Sequence, residues 1–316
     1  MIISALQPLC ARPKPVTSRH LRALLAVGAA MFWLAAATPA FANANTVIVV
    51  HGYDPFAYLP LPLPVPFIAA PPGGNCRQAF GGLANALAND SNPSLPKKVV
   101  YLAYYADDKV GPDACDARFM SASRETPIDE IGNAFAQYLV DNYRGQTVDI
   151  VGHSMGGVIT RWAIANSGLL VDAYGREIVD IEDVVTGGSP HGGARDGSWV
   201  TKNGLRQWNA RDMCNAQAFF SARITHTKQC TQMLRDDAAP KFIDRLNPPG
   251  AIPPWSADWT LLGSTADELV TPASATNAYV QHTQTLNDVA HVDYFNGPTS
   301  TWSLYATVMA LASPDN

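Results

Sequence analysis

The residues best suited to chemistry sit in Gly152-His153-Ser154-Met155-Gly156, whose Gly-x-Ser-x-Gly spacing sets a serine on a sharp strand-to-helix turn. A serine held there is a nucleophile for a carbonyl carbon, and the chemistry is acyl transfer. Such a serine needs a base, an acid to orient that base, and donors for the oxyanion. Asp267 and Glu268 are the candidate acids, following a short apolar strand and a Gly-Ser loop, and Asp267 is the better placed. Of the seven histidines, His291 lies in a short loop before the last helical stretch, whereas His282 stands among polar residues typical of a surface. Ser154, Asp267 and His291 then occur in the chain order Ser…Asp…His, one of the orders in which such a trio is found. Upstream, Thr46-Val47-Ile48-Val49-Val50-His51-Gly52-Tyr53 is a buried-strand run ending in His-Gly. The loop after it is placed to supply one oxyanion donor, the backbone N–H of Tyr53, with that of Met155 as the other.

These residues need elements to hold them. Val148, Ile150 and Val151 form a β-branched run before the serine; after it, apolar residues at 155, 158, 159, 162 and 163 keep helical spacing. Glycines at 152 and 156 are required because side chains there would collide with the elbow's neighbours. Residues 99–104, 181–186 and 259–262 read as further strands, and 300–312 as a final helix. Thr126-Pro127-Ile128-Asp129 opens another helix, with Thr126 as cap and Pro127 at the first helical position. Its Ile128, Ile131, Phe135 and Leu139 recur at core-packing spacing. Strands alternating with helices predict an α/β fold: a mainly parallel sheet with helices on both faces.

Two stretches break the rhythm. Residues 54–75 hold seven prolines among apolar residues, including Pro-Leu-Pro-Leu-Pro-Val-Pro-Phe-Ile at 60–68. Proline denies this stretch a helix or a central strand. It reads either as a rigid loop packed on the body or as an acyl-binding wall beside Tyr53. Residues 194–256 hold Trp199, Trp208, Met213, Phe219, Phe220 and Met233 around two cysteines, a cap-like insertion or a small core of its own.

The chain resembles the secreted bacterial lipases and esterases of the α/β-hydrolase fold, nearest to the class-2 lipases. The resemblance spans about residues 45–312. It rests on Val-His-Gly-Tyr at 50–53, Gly-His-Ser-Met-Gly-Gly at 152–157, Gly-Gly-Ser-Pro-His-Gly-Gly at 187–193, Cys-Thr-Gln-Met-Leu-Arg at 230–235 and Asp-Glu-Leu-Val-Thr-Pro at 267–272. Ser189 stands where those lipases more usually carry threonine. The resemblance implies an α/β-hydrolase fold with a cap insertion and acyl-ester hydrolysis through Ser154, Asp267 and His291.

The first 42 residues contain Arg12, Lys14, Arg19 and Arg22 and no acid, then an apolar stretch and Ala40-Phe41-Ala42. This is the pattern of a signal peptide cleaved after Ala42, leaving 43–316 as one catalytic domain. Its apolar core is too short to favour a membrane span, so export to the periplasm or medium is expected, with an uncleaved N-terminal anchor as the alternative. The whole-chain charge of −5 becomes about −9 once the four leader cations are removed, which argues against nucleic acid as a partner. Cys10 leaves with the leader; Cys76, Cys115, Cys214 and Cys230 remain and allow three pairings. Cys76–Cys115 and Cys214–Cys230 are favoured because each falls within one local insertion and closes a short loop. A zinc site is the rival reading, without a C-x-x-C or a flanking histidine pair in support.

The expected partner is a lipid or other acyl ester, with no metal or organic cofactor. Triacylglycerol hydrolysis is the first expectation; a short-chain or polyester esterase, an acyltransferase and a non-catalytic binding protein are the alternatives. Acyl-chain preference and oligomeric state are not written in these motifs.

Overall fold

Strand β1 (Thr46–Val50) is buried from Val47 onward and sends alternate side chains to two different cores. Ile48 and Val50 join one cluster, Val47 and Val49 the other. A strand covered on both faces must be apolar on both, which is why this run shows no alternation. The computed structural model describes residue 44 and residues 46–53, 76–195, 199–200, 206–207, 209–220, 225–248, 257–277, 280–297 and 302–312. The leader expected at 1–42, the proline-rich stretch with Phe67 and Ile68, and Trp208 lie outside them.

Among the described residues the main sheet has seven strands. They are β1, β2 (Lys98–Tyr105), β3 (Ala117–Ala122), β4 (Thr147–His153), β5 (Asp180–Gly187), β8 (Asp258–Ser264) and β9 (His282–Leu286). The order is β3-β2-β1-β4-β5-β8-β9, with every pairing parallel. The chain runs outward from β1 to β3 and then returns to the other side of β1 with β4. That reversal opens a crevice at the carboxyl ends of β1 and β4, where ligands of open α/β sheets bind. A short antiparallel pair, β6 (Trp199–Val200) with β7 (Arg206–Gln207), stands apart from the sheet.

Helices α3 (Ile128–Tyr143), α4 (Met155–Ala165) and α7 (Phe242–Leu246) cover one face; α2 (Gly81–Asn89) and α9 (Trp302–Leu311) cover the other. On α3 the expected Ile128, Ile131, Phe135 and Leu139 are all fully buried. Truncating a buried phenylalanine such as Phe135 to alanine typically costs about 3–5 kcal/mol. This is an α/β-hydrolase architecture.

The start of α3 differs from expectation. Pro127 stands at the cap position rather than inside the first turn, and Thr126 Oγ1 accepts from Ser123 N–H instead of capping the helix. The orphan N–H of Ile128 donates to Gln232 Oε1 at 2.8 Å, so the cap comes from a residue about a hundred positions away. Gln232 lies on α6 (Lys228–Met233).

The cysteines pair as Cys76–Cys115 and Cys214–Cys230. The first ties α1 (Cys76–Ala79) to the loop before β3; the second ties α5 (Ala210–Phe220) to α6. Within 194–256, Cys214, Cys230, Ala210 and Leu234 form a small cluster touched by Tyr53 and Ala194. Met233, Phe242, Ile243 and Leu246 instead enter the main core, where the Phe242 ring lies 5.5 Å from that of Trp162. The later half of that stretch therefore serves the sheet.

Candidate active site

Strand β4 ends at His153, α4 begins at Met155, and Ser154 alone makes the turn, at φ 53° and ψ −126°. A non-glycine residue at positive φ is strained, and here the strain directs its side chain away from both elements. The turn is held by Ser154 N–H donating to Gly187 O at 2.9 Å, from the end of β5. Close packing explains Gly156: a Cβ there would lie 2.1 Å from Val50 O. The elbow thus rests directly on the end of β1.

Ser154, Asp267 and His291, chosen from three distant segments, meet in one hydrogen-bonded row. Ser154 Oγ lies 2.9 Å from His291 Nε2, and His291 Nδ1 lies 3.0 Å from Asp267 Oδ2 and 3.1 Å from Oδ1. With Nδ1 protonated and donating to the carboxylate, Nε2 keeps a lone pair for the serine proton. All three residues are buried. Asp267 Oδ1 also accepts the N–H groups of Leu269 (2.9 Å) and Val270 (2.8 Å), and Oδ2 the Tyr294 hydroxyl (3.2 Å). Burial and the facing carboxylate push the Tyr294 phenol upward, so it stays a donor.

Burial alone lowers the pKa of His291, but the charge and hydrogen bond of Asp267 and the charge of Glu268 outweigh it and leave it raised above 6.5. Glu268 does not compete for the ring; its Oε2 accepts the main-chain N–H of His291 at 3.2 Å. The other candidate, His282, is exposed on the edge strand β9 with its Nε2 3.4 Å from Asp258 Oδ2. The row excludes it.

The loop after β1 lies against the serine. A Cβ on Gly52 would stand 2.7 Å from Ser154 Cβ and 3.2 Å from its Oγ, so only glycine lets this main chain come so near. Tyr53 follows immediately, and its hydroxyl lies 3.1 Å from Thr227 Oγ1, the N-cap of α6. Met155 opens α4, whose N-terminus favours negative charge nearby. No cluster of metal-ligating side chains occurs among the described residues.

A family model described as Lipase (class 2) matches residues 137–296, half of the chain and all three members of the row. The chain belongs to that family. No curated protein matches it. Among solved structures, it is similar to the RedJ thioesterase of the prodiginine biosynthetic pathway in Streptomyces coelicolor, at 17% identity and a TM-score of 0.44, covering 91% of this chain and 95% of that one. It is also similar to the carboxylesterase CesB of Bacillus subtilis, at 10% identity and a TM-score of 0.41, covering 84% of each chain.

In this family member the Gly-Gly-Ser-Pro-His-Gly-Gly segment braces the elbow rather than entering the row. A Cβ on Gly157 would strike Ser189 Oγ at 2.1 Å, and Thr186 Oγ1 lies 3.0 Å from His191 Nε2. Burial holds His191 well below its ordinary pKa, hence neutral. Three residues near the row escaped sequence reasoning. His153 sends Nε2–H to His291 O at 2.7 Å, Tyr294 holds Asp267, and Asp108 faces His51 Nε2 at 3.0 Å. His153 lies inside the serine motif and was legible as a position, but its partner is 138 residues away.

Proposed function

We propose that the protein is a serine carboxylic-ester hydrolase working through an acyl-enzyme. The observation that carries this reading is the row itself, Ser154 Oγ to His291 Nε2 at 2.9 Å and His291 Nδ1 to Asp267 Oδ2 at 3.0 Å. His291 takes the serine proton as Oγ attacks the ester carbonyl. Asp267 keeps the ring in the right tautomer and stabilises the imidazolium. The oxyanion falls to the N–H groups of Met155 and Tyr53, each worth about 2.7–4 kcal/mol by comparison with measured cases. His291 then returns its proton to the alkoxide leaving group. Water then gives a proton to the same histidine as its oxygen attacks the acyl carbon, and the acyl–Oγ bond breaks as His291 returns that proton to Ser154 Oγ, releasing the acid.

Family membership supports an ester of a fatty acid as substrate, and triacylglycerol is the narrower reading. That narrower reading leans on the apolar residues at 54–75, outside the described residues, whereas the row and the Gly52 approach support ester hydrolysis in general. Esterase is therefore the primary reading. Export follows from the leader pattern and is in keeping with two disulfides; no helix among the described residues is long and apolar enough to cross a membrane.

A fluorophosphonate probe tests the reading. It should label Ser154 stoichiometrically, and Ser154→Ala should abolish both labelling and p-nitrophenyl ester hydrolysis while the fold persists. Folded wild-type protein that neither labels nor hydrolyses is instead a binding protein. A chain-length series of these esters beside emulsified triglyceride separates esterase from lipase.

A further inference from the structure

The carbonyl of Gly52 and the N–H of Tyr53 belong to one planar trans peptide, so they point in opposite directions. Whatever grips the carbonyl aims the N–H. Two donors grip it: the Tyr104 hydroxyl at 2.7 Å and His51 Nδ1 at 2.8 Å. The same hydroxyl reaches His51 O at 3.2 Å, and the His51 and Tyr104 rings stack at 4.4 Å with 12° between their planes. On its far side His51 places Nε2 3.0 Å from Asp108 Oδ2, an oxygen that also accepts the N–H groups of Tyr104 (2.9 Å) and Tyr105 (2.8 Å).

His51, Tyr104 and Asp108 are all buried. Both ring nitrogens of His51 face acceptors, so beside an ionised Asp108 only the doubly protonated ring donates to both, in charge-assisted bonds. Burial raises the Asp108 carboxyl, but His51's charge and the hydrogen bonds from His51, Tyr105 and Tyr104 together hold it below its ordinary value. Sinking a charged pair and a phenol into a sheet end is costly in itself. An apolar residue at 104 would end β2 more cheaply, yet the cluster converges on a single carbonyl beside Ser154.

We propose that Tyr104 directly, and Asp108 through His51, are positioning residues that fix the Gly52–Tyr53 peptide with the Tyr53 N–H turned to the oxyanion. This rests on Ser154 being the nucleophile. The groups act on the transition state, because the oxyanion exists only there; ground-state ester binding does not depend on them.

The test is Tyr104→Phe, which keeps the stacked ring and removes one donor to Gly52 O. Its control is Tyr143→Phe, a buried tyrosine in the last turn of α3 whose ring lies 6.2 Å from that of Tyr138. For Tyr104→Phe we expect kcat on a p-nitrophenyl ester to fall about tenfold or more, with KM within about twofold, since losing an oxyanion donor outright costs roughly 10²–10³. Affinity for phenylboronic acid, which forms a tetrahedral adduct with the serine, should fall by the same factor as kcat. Tyr143→Phe should leave both within about twofold. Asp108→Asn, which keeps an oxygen for the Tyr104 and Tyr105 N–H groups, should repeat the split. Unchanged kcat and boronate affinity in Tyr104→Phe, or an equal loss in Tyr143→Phe, overturns the proposal. Ser154→Ala in the same series separates the two layers. If it is inactive while Tyr104→Phe equals wild type, the clamp alone is wrong; if it stays active, the nucleophile is wrong as well.

Discussion

Glu268 Oε2 accepts the main-chain N–H of His291 at 3.2 Å, while its neighbour Asp267 takes that residue's ring. Two successive carboxylates thus hold one histidine at two points. The division of labour predicts unequal variants. Under the proposed mechanism Asp267→Asn should lose about 10⁴ in kcat, the loss seen where a triad's histidine is left in the wrong tautomer. Glu268→Gln keeps an oxygen for the N–H and should retain kcat within about tenfold at its pH plateau. If the Glu268 variant is the worse of the two, Asp267 is not the orienting acid.

The pH profile should show the work of both carboxylates. In the proposed mechanism His291 must be neutral to accept the serine proton, and its pKa is raised above 6.5, burial being outweighed by Asp267 and then Glu268. The acid limb of kcat/KM should therefore be centred above pH 6.5 in the wild type and lower in Glu268→Gln. Tyr294, His153 and Arg195 also face this pair and remain in both proteins. The linked stability has the opposite sense. The raised pKa stabilises the fold fully below pH 6.5, and that increment is lost as pH climbs through the folded value. Activity and this increment exchange across one window. A wild-type limb centred below pH 6 contradicts the arrangement.

Much of this was legible because parallel strands and elbows leave local signatures. Val47 to Val50 had to be apolar throughout to face two cores, and Ser154 had to stand between glycines to clear Val50 O and Gly157. Strand β3 and edge strand β9 were not legible: Ala-Arg-Phe-Met-Ser-Ala does not alternate, and His-Thr-Gln-Thr-Leu is exposed up to Leu286. Edge strands gain from being polar, which erases their signal. Thr126 has the local chemistry of a helix cap, but Gln232, unreadable at that distance, takes the N–H of Ile128. The same holds for Asp108 and Tyr294, whose importance lies wholly in partners distant in sequence.

His153 makes a separate prediction about acid stability. Burial, then the nearby charge of His291, pulls its pKa down to about 3, while its Nε2–H is committed to His291 O. Between pH 6.5 and about 3 the unfolded chain binds a proton that the native state refuses, so stability falls as pH falls through that window. His153→Gln removes this titration. Urea midpoints at pH 7 and pH 4 should differ less in the variant than in the wild type. Equal drops would mean that His153 is protonated in the folded protein.

The two disulfides should have different consequences. Cys76–Cys115 spans 39 residues and Cys214–Cys230 spans 16, so chain entropy gives the first about 4 kcal/mol and the second about 3. Their surroundings reverse that ranking for activity. Cys76 and Cys115 lie in the core under α2, while Cys230 Sγ is 3.5 Å from the Tyr53 hydroxyl and Thr227, at the start of the same helix, is hydrogen-bonded to it. Cys230 therefore belongs to the wall that holds Tyr53, the residue proposed to bear an oxyanion donor. Replacing both Cys214 and Cys230 with alanine should lower kcat/KM several-fold at a temperature where the protein is still folded. Replacing Cys76 and Cys115 should lower Tm more and kcat/KM less. Both double variants need thermal melts and ester kinetics measured side by side. If the Cys214/Cys230 variant keeps full kcat/KM, the bridge supports only the insertion, and the position of Tyr53 is set from the Tyr104 side alone.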